Sequence, residues 1–178
     1  MPASEPGKEF SRPVAVSALP PQGRAFDLSP TEAERAAIAR RLDIPRVERL
    51  AGHIDVKPAR GGATLSGKLN ASLTRQCVVT LEPMTEEIAE SFDLRFVRAE
   101  PQTEAGEAEL LVDEDTPEPL DGDVIDIGET LVQQLALAMS PYPRRPDADF
   151  TKAEFGQTLE KSPFDVLKGA IAERRDQE

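Results

Sequence analysis

The sequence is short of the residues that do most covalent and metal chemistry. It has one cysteine, Cys77, one histidine, His53, and no tryptophan in 178 residues. A single cysteine forms no internal disulfide, and one Cys with one His cannot complete a tetrahedral Cys/His zinc site within one chain. Aromatic residues are only 4% of the chain, so any core is built mostly from Leu, Val, Ile and Ala. No apolar run approaches the roughly 18–20 residues of a membrane-spanning helix. Met1 to Phe10 shows no apolar signal core. These absences lead us to expect a soluble, reducing, cytoplasmic setting, with no membrane partner. No GxGxxG, Walker, GxSxG or HExxH pattern occurs.

What is abundant is negative charge. Lys and Arg total 21 against 33 for Asp and Glu, a net charge of −12. Its distribution matters more than its size. From Ala99 to Pro143 there is no Lys, Arg or His, but twelve acids, which equal the whole net charge. The flanking parts are near neutral. The length fits one domain with tails. We expect a flexible tail over residues 1–9 and a single domain over residues 10–143 with a mobile acidic insertion at about 99–122. Residues 144–178 should form a mostly flexible tail carrying a short helix at about 163–174. A stretch like the acidic one serves as a solvated loop, as a docking surface for a basic partner, or as a cation site. No EF-hand ladder supports the last. The residues placed for docking are Glu107, Glu109, Asp113, Glu114 and Asp115.

Hydrophobic periodicity gives the elements. Phe10 to Leu19 reads as a first strand with Pro13 at its edge, and Arg24 to Leu28 as a second. Ser29-Pro30-Thr31-Glu32 reads as a capping box opening a helix to about Leu42, with Ala33, Ala36, Ala37, Ile38 and Leu42 inward. Leu50 to Val56 alternates, Gly61-Gly62 marks a hairpin, and Leu65 to Leu73 alternates again, with Cys77 to Leu81 continuing the apolar run. Ile88, Phe92, Leu94 and Phe96 line a third strand. Asp126 caps a second long helix, with Glu129 at its third position and Leu131, Val132, Leu135, Leu137 and Ala138 as its apolar face. The fold class is α+β: a curved antiparallel meander, open or barrel-like, with two main helices, a short C-terminal helix and a long acidic loop.

No catalytic constellation stands out, and we expect no enzyme and no cofactor. His53 sits opposite the apolar face of its strand. Cys77 is a buried inert thiol, unless a basic neighbour, of which Arg75 is the close one, depresses its pKa. Arg35, Arg40, Arg41, Arg46 and Arg49 fall within fifteen residues. They form either an exposed mixed-charge face or a phosphate contact, and Arg40, Arg41, Arg46 and Arg49 are the candidate RNA-binding set.

One ordered set of motifs resembles a known family. It comprises Gln76-Cys77-Val78-Val79-Thr80-Leu81-Glu82-Pro83, then Phe92-Asp93-Leu94-Arg95-Phe96, an acidic gap, Val124 to Glu129, and a helix ending Leu135 to Pro143. Together they are similar to the YceD family, proteins implicated in accumulation of large-subunit (23S) ribosomal RNA, in its alphaproteobacterial form. The likeness covers Phe10 to Pro146. It implies a non-enzymatic ribosome-biogenesis factor that binds precursor rRNA or a ribosomal protein; we expect no DNA partner, and the oligomeric state stays open with a monomer favoured. The alternative is an acidic adaptor or holdase for a basic ribosomal protein. Many members carry a C-x-x-C-L-E-P element. Cys77 matches its first Cys and Thr80 stands at the second, so a zinc or dithiol role for that pair does not apply to this chain. Leu81, Glu82 and Pro83 match the rest, as a structural turn.

Overall fold

The computed structural model describes residues 9–98, 117–120 and 122–148. The docking acids Glu107, Glu109, Asp113, Glu114 and Asp115, and the expected helix at 163–174, lie outside these residues.

Alternation in the sequence becomes a sheet with one buried and one wet face. Strands β2 (Arg24–Leu28), β3 (Arg46–Ala59), β4 (Gly62–Gln76), β5 (Pro83–Arg98) and β6 (Glu118–Leu120) lie side by side in chain order. The first four are antiparallel, while β6 runs parallel to β5, with Phe96 opposite Glu118. Leu50, Ile54, Val56, Leu65, Leu69, Ala71 and Leu73 fill the buried face, and Thr64, Ser66, Lys68 and Asn70 fill the exposed one. β3 begins four residues before the alternation does. A bulge between Val47 and Arg49 shifts the register there, so that Val47 and Leu50 are both buried three residues apart. Gly61, at a φ of 80°, makes the turn from β3 to β4.

The sheet is open, not barrel-like. Its outer members are β2 and the three-residue β6, and these do not pair with each other. The Phe10–Leu19 strand is also corrected. Only Pro13–Ala15 (β1) is extended, and Val16–Ala18 forms a single 3-10 turn. Among the described residues β1 pairs only with β7 (Val124–Asp126), in a separate antiparallel ribbon.

Helix α1 spans Glu32–Arg41. Its cap is Thr31, not Ser29. The Thr31 hydroxyl accepts from Glu34 N–H while the Glu34 carboxylate accepts from Thr31 N–H. Both Ser29-x-x-Glu32 and Thr31-x-x-Glu34 fit the motif. Tertiary structure selects the second, because Pro30 is buried and Glu34 also binds Arg12 at 2.8 Å. The inner face is narrower than the alanines suggest. Ile38 and Ala39 are buried, whereas Ala33 and Ala36 are exposed.

Helix α2 (Ile127–Ala138) is capped by Asp126, whose carboxylate accepts from Glu129 N–H. Ile127, Leu131, Val132 and Leu135 are buried over the sheet, while Leu137 is 77% exposed. The crossing is close. A Cβ on Gly52 of β3 would lie 2.6 Å from a Leu131 methyl, so glycine sets the helix-to-sheet distance. Cys77 to Leu81 does not continue β4 but turns the chain into β5.

Candidate functional site

The five arginines of residues 35–49 do not act as one patch. Their placement follows from how α1 ends. Ile44 N–H donates to Ala39 O at 3.0 Å and Asp43 N–H to Arg40 O at 3.3 Å, with Asp43 left-handed at a φ of 52°. This is a Schellman close with aspartate in the position usually given to glycine. It folds Ile44 back onto the core and starts β3 beside the helix that precedes it. Arg35 and Arg40 of α1 and Arg46 of β3 therefore line one surface groove of about 400 Å³, floored by Ala39, Ile44 and Val47.

Within that groove the guanidinium groups differ. Arg35 donates to Pro30 O at 3.0 Å, and Arg46 meets Glu48 at 3.1 Å while staying 65% exposed. Arg40 is exposed and makes no ion pair among the described residues. Three cations and one acid, Glu32, stand about this shallow concavity, and two of the cations, Arg35 and Arg40, make no ion pair among the described residues; such guanidinium groups can take a phosphodiester through bidentate hydrogen bonds.

The other two members of the candidate RNA set point elsewhere. Arg41 is committed to Glu129 and Glu9, which hold its guanidinium firmly protonated, Glu129 foremost. Arg49 lies on the exposed face of the sheet, 3.4 Å from Glu87. The structure thus brings Arg40 and Arg46 together, adds Arg35, and separates Arg41 and Arg49.

The acidic stretch is attached at the far end of the sheet. Arg98, where it leaves β5, donates its N–H to Gly61 O and pairs with Asp123 at 2.6 Å. Arg46 is at the opposite end, across from Thr74.

Cys77, Leu81, Glu82 and Pro83 form the turn between β4 and β5. Leu81 N–H donates to Cys77 O and Cys77 N–H to Glu82 O, both at 2.9 Å, with Leu81 left-handed at a φ of 59°. Val78 N–H donates to Pro143 O at 3.0 Å, and Arg145 pairs with Glu82. The chain after α2 therefore closes over the turn, and Arg145 is part of the body. Cys77 is fully buried. Its thiol is pulled down to about 7, by the Arg145 backbone N–H first, then by the Thr80 hydroxyl and the Thr80 backbone N–H, against the opposing effect of burial. Arg75, the basic neighbour in sequence, is not among the causes. It faces inward and pairs with Glu86 at 2.7 Å, and the two together bind Ser140 O and N–H at the end of α2. The period of two running from Leu65 through Leu73 to Arg75 already places Arg75 on the buried face, and that is the signal that finds this clamp.

His53 is on the exposed face, with Nδ1 2.7 Å from Asp27 and Nε2 3.7 Å from Asp55. The Asp27 hydrogen bond raises its pKa above the ordinary value. Among the described residues, no cluster of three or more His, Cys, Asp or Glu is placed to hold a metal ion. No helix among them is long and apolar enough to cross a membrane.

Residues 65–176 match the family model described as Large ribosomal RNA subunit accumulation protein YceD. No curated protein and no solved structure matches the chain.

Proposed function

The chain belongs to the YceD family, and from that membership we propose that it is a non-enzymatic assembly factor that binds large-subunit precursor rRNA. The family match carries the ribosomal role. The RNA contact rests on the groove of Arg35, Arg40 and Arg46, which lies before the first matched residue and so stands on its own geometry. Binding fits the chemistry better than catalysis. The lone thiol is buried, and the lone imidazole is held between two carboxylates on an open sheet face. A polyanion approaching the groove meets the end of the sheet farthest from where the acidic stretch is attached. The separation matters, because the field of that stretch opposes RNA.

The test is ultraviolet crosslinking of the full chain in cells, with sequencing of the attached RNA. Large-subunit precursor fragments should be recovered, and Arg40→Glu with Arg46→Glu should reduce them to background. Recovery unchanged by that double substitution would overturn the groove. Normal precursor processing and normal large-subunit levels after gene deletion would overturn the ribosomal role itself.

The second reading is an acidic adaptor or holdase for a basic ribosomal protein. It is favoured by the concentration of the whole net charge in one stretch, which includes Glu107, Glu109, Asp113, Glu114 and Asp115. It expects background RNA in the same experiment and co-purification of a basic ribosomal protein.

A further inference from the structure

Glu32 is the one acid lining the arginine groove, and binding of a phosphate leaves it without a task. It is the first residue of α1 and is exposed, and its carboxylate makes no hydrogen bond or ion pair among the described residues. An acid beside a phosphate site weakens it by like-charge repulsion. Its presence therefore points to a ligand that carries hydrogen-bond donors as well as negative charge.

The face of α1 in the groove is Glu32, Arg35, Ala36, Ala39 and Arg40, the spacing of one continuous helical stripe. Glu32 and Arg40 stand at its two ends, eight residues or about 12 Å apart along the axis, too far to neutralise each other. The centre of the stripe is two alanines. Opposite them the wall is Ile44, Pro45 and Val47, with Arg46 two residues beyond Ile44. The result is an apolar slot with a carboxylate at one end and guanidinium groups at the other. Its roughly 400 Å³ falls in the range of small-ligand sites. One nucleotide has the matching polarity, anionic at its phosphate and donor-bearing at its base. A tethered guanidinium is also a surface on which a base can stack, and Arg35, one turn from Glu32, is tethered by its bond to Pro30 O.

The edge chemistry of the four bases selects among them. A carboxylate offers two acceptors side by side. Unpaired guanine alone presents two adjacent donors, N1–H and N2–H, to meet them. Adenine and cytosine set an acceptor nitrogen beside their amine, and uracil flanks its single N–H with two carbonyls, so each would put a lone pair against a carboxylate oxygen. In a duplex the guanine donors are already taken by cytosine. We infer that the groove reads one unpaired guanine of single-stranded RNA, with Glu32 on its Watson–Crick edge, its base over Ala36 and Ala39, and its phosphate on Arg40 and Arg46. This rests on the RNA reading of the same groove and adds a base preference to it.

The probes are uridine oligonucleotides about ten nucleotides long, with one central position changed to guanosine, adenosine, cytidine or inosine. Binding to the full chain is read by fluorescence anisotropy at one fixed salt concentration. The guanosine oligomer should bind about tenfold more tightly than the others. Inosine lacks the N2 amine and should lose most of that advantage. Glu32→Gln pairs an acceptor with a donor, so it should remove the guanosine preference and favour adenosine instead, an outcome that mere loss of structure does not produce. If all the oligomers bind equally and Arg40→Glu with Arg46→Glu abolishes them all, the RNA groove stands and the guanine inference falls. If none binds, both fall. A guanosine preference that survives in Glu32→Gln, or that inosine shares in full, also overturns the assignment to Glu32. The comparison on the unaltered chain needs no variant to fold.

Discussion

The Arg41 guanidinium forks onto both oxygens of Glu129, at 2.7 and 2.6 Å, across 88 residues of chain. The pair joins the last turn of α1 to the first turn of α2, and each charge sits at the helix end where the backbone dipole favours it. Glu129 is only 14% exposed, so the pair is partly desolvated. Arg41→Ala should cost about 1–2 kcal/mol in urea denaturation at neutral pH, between the values of exposed and buried pairs.

The same pair fixes a pH dependence. Arg41 holds the Glu129 carboxyl below its ordinary value of 4.5. A depressed carboxyl contributes stability that is complete above the unfolded pKa and is lost as pH falls through the lower folded one. The gap between wild type and Arg41→Ala should therefore be constant near neutrality and shrink below about pH 4.5. A gap that widens on acidification would contradict the assignment.

His53 gives the opposite sign. Its pKa is raised above 6.5, first by the Asp27 hydrogen bond. The charged form is favoured in the folded chain, so the contribution is full below the unfolded value and fades as pH rises through the folded one. Proton NMR of the single imidazole should titrate above 6.5, and Asp27→Asn should bring it down.

Gly52 offers a packing test. A methyl there would lie 2.6 Å from Leu131. Gly52→Ala should destabilise by about 1–3 kcal/mol through overpacking. Leu131→Ala removes a fully buried side chain and is destabilising on its own, but Gly52→Ala should cost less in that background than in the wild-type chain, measured by thermal unfolding.

Cys77 should be slow to alkylate despite its lowered pKa, because it is fully buried. A thiol reagent should label it only at the rate of local or global opening. Labelling as fast as that of a free thiol would show that the turn is not closed by residues 143–145.

Much of the fold was legible locally. Period-two alternation located β3, β4 and β5, and Asp126 with Glu129 marked the start of α2 correctly. What escaped depended on partners far along the chain. β6 and β7 are three residues each, too short for a period to show. Two overlapping capping motifs competed before α1, and Arg12, 22 residues away, binds the Glu34 of the one adopted. The bulge at Val47 hid the start of β3. The arginine cluster was visible as composition, but which members stay available was decided by Glu129 and Glu87, at separations of 88 and 38 residues.

The parallel pairing of Phe96 with Glu118 means the chain departs from Arg98 and re-enters within about two residues' length of the same corner. The sheet therefore already holds the two ends of this connection side by side. Closing such an excursion changes by only about 0.6 kcal/mol per doubling of its length. Relatives, or engineers, are therefore at liberty to shorten, lengthen or recharge it with little penalty to the body that carries it.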